Sequence, residues 1–202
     1  MRGTGSGISV GWLCRHGNRI GFKRSRIFAF NDLIHTICST YHMAIIYTDR
    51  EIGNFVKESK PLPTDWRGKI KLRTKRGHDE RSLNLTGEDG NEFRLILRKN
   101  QINPIDFSVI LAVQLPELNQ VFRLLRYNGR SHQHTNHIEE ETFLAFHIHT
   151  ATERYQEFGT REDAYAEPTD RYGDFYGAFR CLINDANLKV TEEPQGSLFE
   201  GV

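Results

Sequence analysis

Residues 81–99 read RSLNLTGEDGNEFRLILRK, and the five residues at their centre decide the fold. Gly87-Glu88-Asp89-Gly90-Asn91 separates residues 81–86 from residues 92–99, and its Asp-Gly pair supplies the left-handed backbone that a tight hairpin requires. Two antiparallel strands are therefore expected. Downstream, residues 107–115 carry Phe107, Val109, Leu111, Val113 and Leu115 on one face, and Pro116 ends that strand because it has no N–H for the ladder. Residues 121–127 and 142–150 read as two more strands. Upstream, Ile70 and Leu72 alternate with Lys69, Lys71, Arg73 and Lys75, the period of a strand with one face buried.

Helical signals bracket this run of strands. Thr48-Asp49-Arg50-Glu51 fits a capping box, and Ile52, Phe55 and Val56 follow at helical spacing until Pro61 and Pro63 forbid continuation. After Thr169, read as a cap, Tyr172, Phe175, Tyr176, Phe179, Leu182 and Ile183 recur every three or four residues, an amphipathic helix with an aromatic inner face. Gly173 and Gly177 on it would allow a close approach to the sheet. The order helix, strands, helix predicts an α+β domain: a meandering antiparallel sheet of about six strands with an N-terminal and a C-terminal helix packed on it.

Composition bounds the function classes. The 202 residues are 38% hydrophobic and 26% charged with net charge +1, which excludes collagen-like, coiled-coil and broadly disordered chains. The longest nearly apolar run, residues 107–115, is far short of the roughly 20 residues that a membrane helix needs, so no membrane partner is expected. Cys14, Cys38 and Cys181 are too scattered for a disulfide framework or a zinc ribbon, and a reducing, cytoplasmic compartment is the expectation. Residues 1–42 differ from the remainder. Arg2, Arg15, Arg19, Lys23, Arg24 and Arg26 face the single acid Asp32, a surplus of +5 that leaves residues 43–202 at −4. The favoured reading is a mis-called start with translation from Met43; an Arg-rich targeting leader and a genuine, poorly ordered extension are its alternatives. Residues 43–202 then form a single domain.

Five of the nine histidines, His132, His134, His137, His147 and His149, fall within eighteen residues. In a strand over residues 142–150, Phe143, Ala145, His147 and His149 share one face, and the connection that carries His134 and His137 is long enough to fold back over it. Three neutral imidazoles with an open position make a catalytic site for a divalent metal, zinc or manganese. A facing pair near its ordinary pKa of 6.5 could instead hold one acid and one base for phosphodiester cleavage. Arg126 and Arg130 flank the loop as candidate phosphate holders, and Lys71 and Arg73, with Lys69 and Lys75, could follow a nucleic-acid backbone. Against these stands the plain alternative, in which the histidines satisfy backbone groups and the cations are a solvated or edge-protecting face. The chain has no H-E-x-x-H, C-x-x-C, G-x-S-x-G or G-x-x-x-x-G-K-[ST].

At His134-Thr135-Asn136 and Phe146-His147-Ile148-His149, with the aromatic and acidic stretch of residues 155–165, Asn187-Leu188, Pro194 and Leu198-Phe199, the chain resembles a family of uncharacterised bacterial and phage-island proteins that carry a domain of unknown function. The resemblance covers roughly residues 43–202 and departs after the H-T-N, where His137-Ile138-Glu139 replaces a Pro-Asp-Gly-like turn. It implies the domain boundary and the interest of the histidines, and no reaction. Two functions follow as expectations. One is a histidine-centred site of His134, His147 and His149 that binds or hydrolyses a phosphodiester, RNA above all, as a toxin or defence component would. The other is a non-catalytic module that binds an operon-encoded partner protein and has structural histidines.

Overall fold

The computed structural model describes residues 46–115 and 120–190; residues 1–42, with the start expected at Met43, and the segment holding Pro194 and Leu198-Phe199 lie outside them. The first helix, α1 (Asp49–Lys57), begins as its capping box demands: Glu51 N donates to Thr48 Oγ1 at 3.3 Å, and Thr48 N donates to Glu51 Oε2 at 2.8 Å. Ile52 is buried, and Phe55 and Val56 pack against the core. Among the described residues no helix is long and apolar enough to cross a membrane.

The short pieces that follow are β1 (Lys60–Pro61), α2 (Trp66–Lys69) and β2 (Arg73–Lys75). The strand expected from Lys69 onward is thus corrected to its second half. Trp66 and Ile70 are both buried across one helical turn, with Ile70 N donating to Trp66 O at 2.9 Å. A spacing of four belongs to both the helical and the two-residue period, so Ile70 looks the same in either. Lys71 precedes the strand, and Lys71, Arg73 and Lys75 are exposed.

The main sheet comprises β2, β3 (His78–Thr86), β4 (Glu92–Asn100), β5 (Phe107–Gln114), β6 (Val121–Asn128), β9 (His147–Thr150) and β10 (Ala166–Pro168), every neighbour antiparallel, in the order β10-β9-β6-β5-β4-β3-β2. This is the expected meander with one further strand. Pro168 sits on the edge strand β10, where its missing N–H breaks no ladder. At the β3–β4 hairpin, Gly90 has φ +87° and Gly87 N donates to Asn91 O at 2.8 Å. The buried Glu58 carboxylate closes the turn by accepting from Asp89 N (3.0 Å) and Asn91 Nδ2 (2.8 Å).

The strand expected over residues 142–150 divides in two. Its first part, β8 (Glu141–Phe143), pairs with β7 (His134–Asn136) as a separate ribbon, and only its second part, β9, joins the main sheet. Leu144, Ala145 and Phe146 leave both ladders, and Leu144 is 66% exposed. Both pieces are extended, so the alternating pattern runs through the break unmarked. A short helix not anticipated from the sequence, α3 (Glu153–Glu157), follows β9 and is capped by Thr152.

One face of the sheet is the core. Leu83, Leu95, Leu111 and Leu125 lie in register across it, as do Leu97, Val109 and Tyr127, and all are buried together with Phe175, Ala178, Phe179, Leu182 and Ile183 of α4 (Phe175–Asp185). The cap of α4 is Asp174, whose Oδ1 accepts from Gly177 N at 2.6 Å, and the expectation of Thr169 is corrected: residues 169–173 instead carry Tyr172 to the sheet before the helix begins. A Cβ on Gly177 would come within 3.0 Å of the Tyr172 Cβ. After α4, β11 (Leu188–Lys189) pairs in parallel with β1. Between them the fully buried Lys60 Nζ donates to Val56 O (3.1 Å), Glu58 O (2.7 Å) and Ala186 O (3.1 Å), where α1 and α4 end. Burial lowers its pKa to about 8, so the ammonium is charged at neutral pH and meets the negative ends of two helices.

The turn out of β6 is equally tight. A Cβ on Gly129 would lie 1.9 Å from the backbone oxygen of Ile105, which has no flexible side chain to withdraw. Gly129→Ala is expected to lower the unfolding free energy by about 1–3 kcal/mol, measured by urea denaturation.

Candidate metal centre

Arg126, Asn128, His147 and His149 lie on the sheet face opposite α1 and α4, because Arg126 pairs with His149 and Asn128 with His147, while Leu125 and Tyr127 turn toward the core. The β7–β8 ribbon roofs that end of the face and brings His134 down onto the pair. The ring centroids of His134 and His149 are 4.7 Å apart, those of His147 and His149 4.8 Å, and those of His134 and His147 5.3 Å. One ligand-capable nitrogen from each ring lies within 4.8 Å of the others. The convergence expected from the sequence is present for His134, His147 and His149. His132 and His137 are exposed, with the His132 ring 5.5 Å from that of His147.

Hydrogen bonds to groups that can only accept fix the tautomers. His147 Nδ1 is 2.7 Å from Ala145 O and His149 Nδ1 is 2.8 Å from Asp163 O, so each Nδ1 carries the proton and each Nε2 keeps its lone pair. Arg126 Nη2, 3.1 Å from His149 Nδ1, is then a close approach, and its hydrogen goes to Asp163 O at 3.4 Å. Both Nε2 atoms face the amide of Asn128, whose Nδ2 is 3.3 Å from that of His147 and 3.1 Å from that of His149. His134 is oriented by Asn136, whose Nδ2 donates to Ala166 O (2.8 Å) and whose Oδ1 accepts from Ala166 N (2.9 Å). That oxygen lies 3.0 Å from His134 Nε2 and orients the ring.

Burial keeps these rings neutral. His147 is fully buried and its pKa falls to about 4, burial being the main cause; His149, 2% exposed, is lowered further by burial and then by the Arg126 charge. Burial also lowers His134, against the Asn136 hydrogen bond. A protonated imidazole is a poor ligand and a neutral one a good one, so these three residues could hold an ion.

Of the flanking cations, Arg126 lies beside His149. Arg126 Nε is 2.9 Å from Oδ2 of the fully buried Asp163, a charge pair off the line of a good hydrogen bond. Arg130 is exposed and covers the Phe146 ring. Lys71 and Arg73 belong to the far margin: β2 and β9 are five strand spacings apart, about 24 Å. A second cation near the histidines, Arg161, is one that sequence reading missed. It lines a cavity of about 450 Å³ with Gln133, His134, Thr135, His137, Thr160 and Ala164, and its closest acid, Asp163, is 3.8 Å away.

The roof is latched. Tyr155, fully buried on α3, donates through its hydroxyl to Glu139 Oε2 at 2.5 Å and accepts from Ile138 N at 3.3 Å; Arg154 also pairs with Glu139. Asn128 carries no local sign of its role, whereas Asn136 closes the H-T-N triplet and Tyr155 and Asp163 fall in the aromatic and acidic stretch of residues 155–165.

No family model, curated protein or solved structure matches the chain.

Asn136→Ala removes the bonds to both polar groups of Ala166 and is expected to cost about 1–3 kcal/mol in urea unfolding. The histidines set a pH dependence. Their folded pKa values lie below the unfolded 6.5, so the unfolded chain takes up protons first, and the stability of chelator-treated protein should fall as the pH drops from about 6.5 through 4. His147 alone accounts for about 3 kcal/mol of that loss, and thermal unfolding between pH 8 and 4 measures it.

Proposed function

We propose that His134, His147 and His149 hold a divalent transition-metal ion and that the protein hydrolyses a phosphodiester, with RNA as the substrate class and a toxin- or defence-like role. The observation that supports this reading is the convergence of three neutral imidazoles, two of them with their Nδ1 protons spent on backbone carbonyls and their Nε2 lone pairs turned to one point. Histidine ligands oriented through the other ring nitrogen are the usual arrangement around a bound ion. Of the two metals that the residues suggest, zinc suits an all-imidazole set better than manganese, which favours carboxylates and water. Such an ion supplies Lewis acidity and a water of lowered pKa.

The chain's own residues account for the choice of an anion. The cavity beside His134 is lined by the donors Gln133, Thr135, Thr160 and Arg161 and by His137, with no carboxylate among its lining residues. Arg161 there serves the part expected of Arg126, which instead holds Asp163 beneath His149. The basic residues near β2, Lys71 and Arg73, would meet only a polymer long enough to cross the sheet face, so they bear on binding rather than on the bond that breaks.

One observation favours the second reading, a non-catalytic module of a two-gene operon. The Asn128 amide already meets both Nε2 lone pairs, so these two buried acceptors have a protein partner without an ion. Titration calorimetry on untagged protein separates the two. Zinc is expected to bind at one ion per chain, and His147→Ala combined with His149→Ala to abolish both that binding and cleavage of a single-stranded RNA probe while the far-ultraviolet circular dichroism is retained. Absence of zinc binding in the unaltered protein would overturn the proposal in favour of the second reading.

A further inference from the structure

We infer that Asn128 is a further ligand of this centre: without an ion its amide fills the space between His147 and His149, and with one it turns over to ligate through Oδ1. The inference rests on the metal reading above and names a residue outside the histidine set.

Asn128 is 2% exposed, and the tip of its amide is 3.3 Å and 3.1 Å from the two Nε2 atoms. Two ligands held about 2.1 Å from one ion at a tetrahedral angle are about 3.4 Å apart. The amide tip therefore already stands at the spacing of a neighbouring ligand, without any backbone movement. As the amide now sits, Nδ2 offers one hydrogen to each lone pair, and Oδ1 accepts from Ser108 Oγ at 2.8 Å. The Ser108 hydroxyl can donate or accept. After a half-turn about the last side-chain bond, Nδ2 donates to Ser108 Oγ and the oxygen, now beside the histidines, has a lone pair for a cation. The same cradle thus serves both orientations of the amide, while the histidine nitrogens, which lie within 4.8 Å of one another, draw closer around an ion.

The surrounding backbone holds the ligand positions fixed through this exchange. Asn128 is paired in register with Ser108 on one side and His147 on the other. The Tyr172 hydroxyl lies 3.0 Å from Asn128 O and 2.8 Å from His147 O, clamping the two strands behind the ligands. With three histidines and Asn128 as ligands, a substrate oxygen from the cavity beside His134 would be a fifth ligand, a number that zinc can reach. Asn128 also explains why two buried lone pairs can persist without an ion, since their partner is built in.

The test is zinc titration of the full chain. Asn128→Leu keeps approximate size and removes both amide atoms; it is expected to weaken zinc binding about 10- to 100-fold while one ion still binds. Asn128→Asp offers an anionic oxygen at the same place and is expected to bind zinc more tightly than the unaltered protein. Should both bind with unaltered affinity, Asn128 is no ligand, and the three-histidine centre stands without it. Should the unaltered protein bind no zinc, the metal reading fails and this inference with it. A measurement on the unaltered chain guards against variants that do not fold: the Asn128 side-chain ¹H–¹⁵N signal should shift at one equivalent of zinc. An unmoved signal beside shifted histidine resonances overturns the inference.

Discussion

The pairing of Leu125–Asn128 with His147–Thr150 in a single register is the constraint on which the site depends. It puts Asn128 beside His147 and Arg126 beside His149 on the outer face and turns Tyr127 and Ile148 to the other. A slip of β9 by one residue would turn its imidazoles toward the leucines of the core and Ile148 away from them. Apolar burial of β6 against α4 and the Tyr172 hydroxyl, bonded to a carbonyl on each strand, hold this register from the core side. The chemistry on one face is thereby specified by packing on the other.

Charge follows from the same burial. Two imidazoles out of water next to a guanidinium are held neutral, because a further cation there would be desolvated and repelled at once. Arg126 remains charged because Asp163 is buried with it, and the Asp163 backbone carbonyl takes the His149 proton. A single loop residue thus answers both the cation and the ring. Lys60 shows a different solution to the same problem, with carbonyls at two helix ends in place of an acid. Lys60 is thus matched by backbone and Arg126 by a partner of opposite sign, which offsets the cost of burying each charge.

Much of the fold was legible because its signals are local. Thr48 and Glu51 stand three residues apart, Asp89-Gly90 sits between two apolar runs, and the aromatic stripe of α4 repeats at helical spacing; each forms through contacts within a turn or two of chain. Legibility failed where two structures share one pattern. Trp66 and Ile70 are four residues apart, which suits a helix and a strand alike, and the alternation from Thr142 to Thr150 runs through a break that separates two sheets. Strand β10 and helix α3 carry too few residues for any period to register.

The sequence by itself determined that His147 and His149 point the same way, since side chains two apart in a strand share a face, and that a long connector carried His134 within reach. Only the tertiary structure decided which ring nitrogens are free, that Arg126 is committed to Asp163 while Arg161 lines the cavity, and that Asn128 stands between the two rings. Those outcomes depend on strand register and on closure of the β7–β8 roof, which join residues 14 to 37 positions apart. No spacing along the chain encodes such distances, because the energy that selects them comes from burying the opposite face of the sheet.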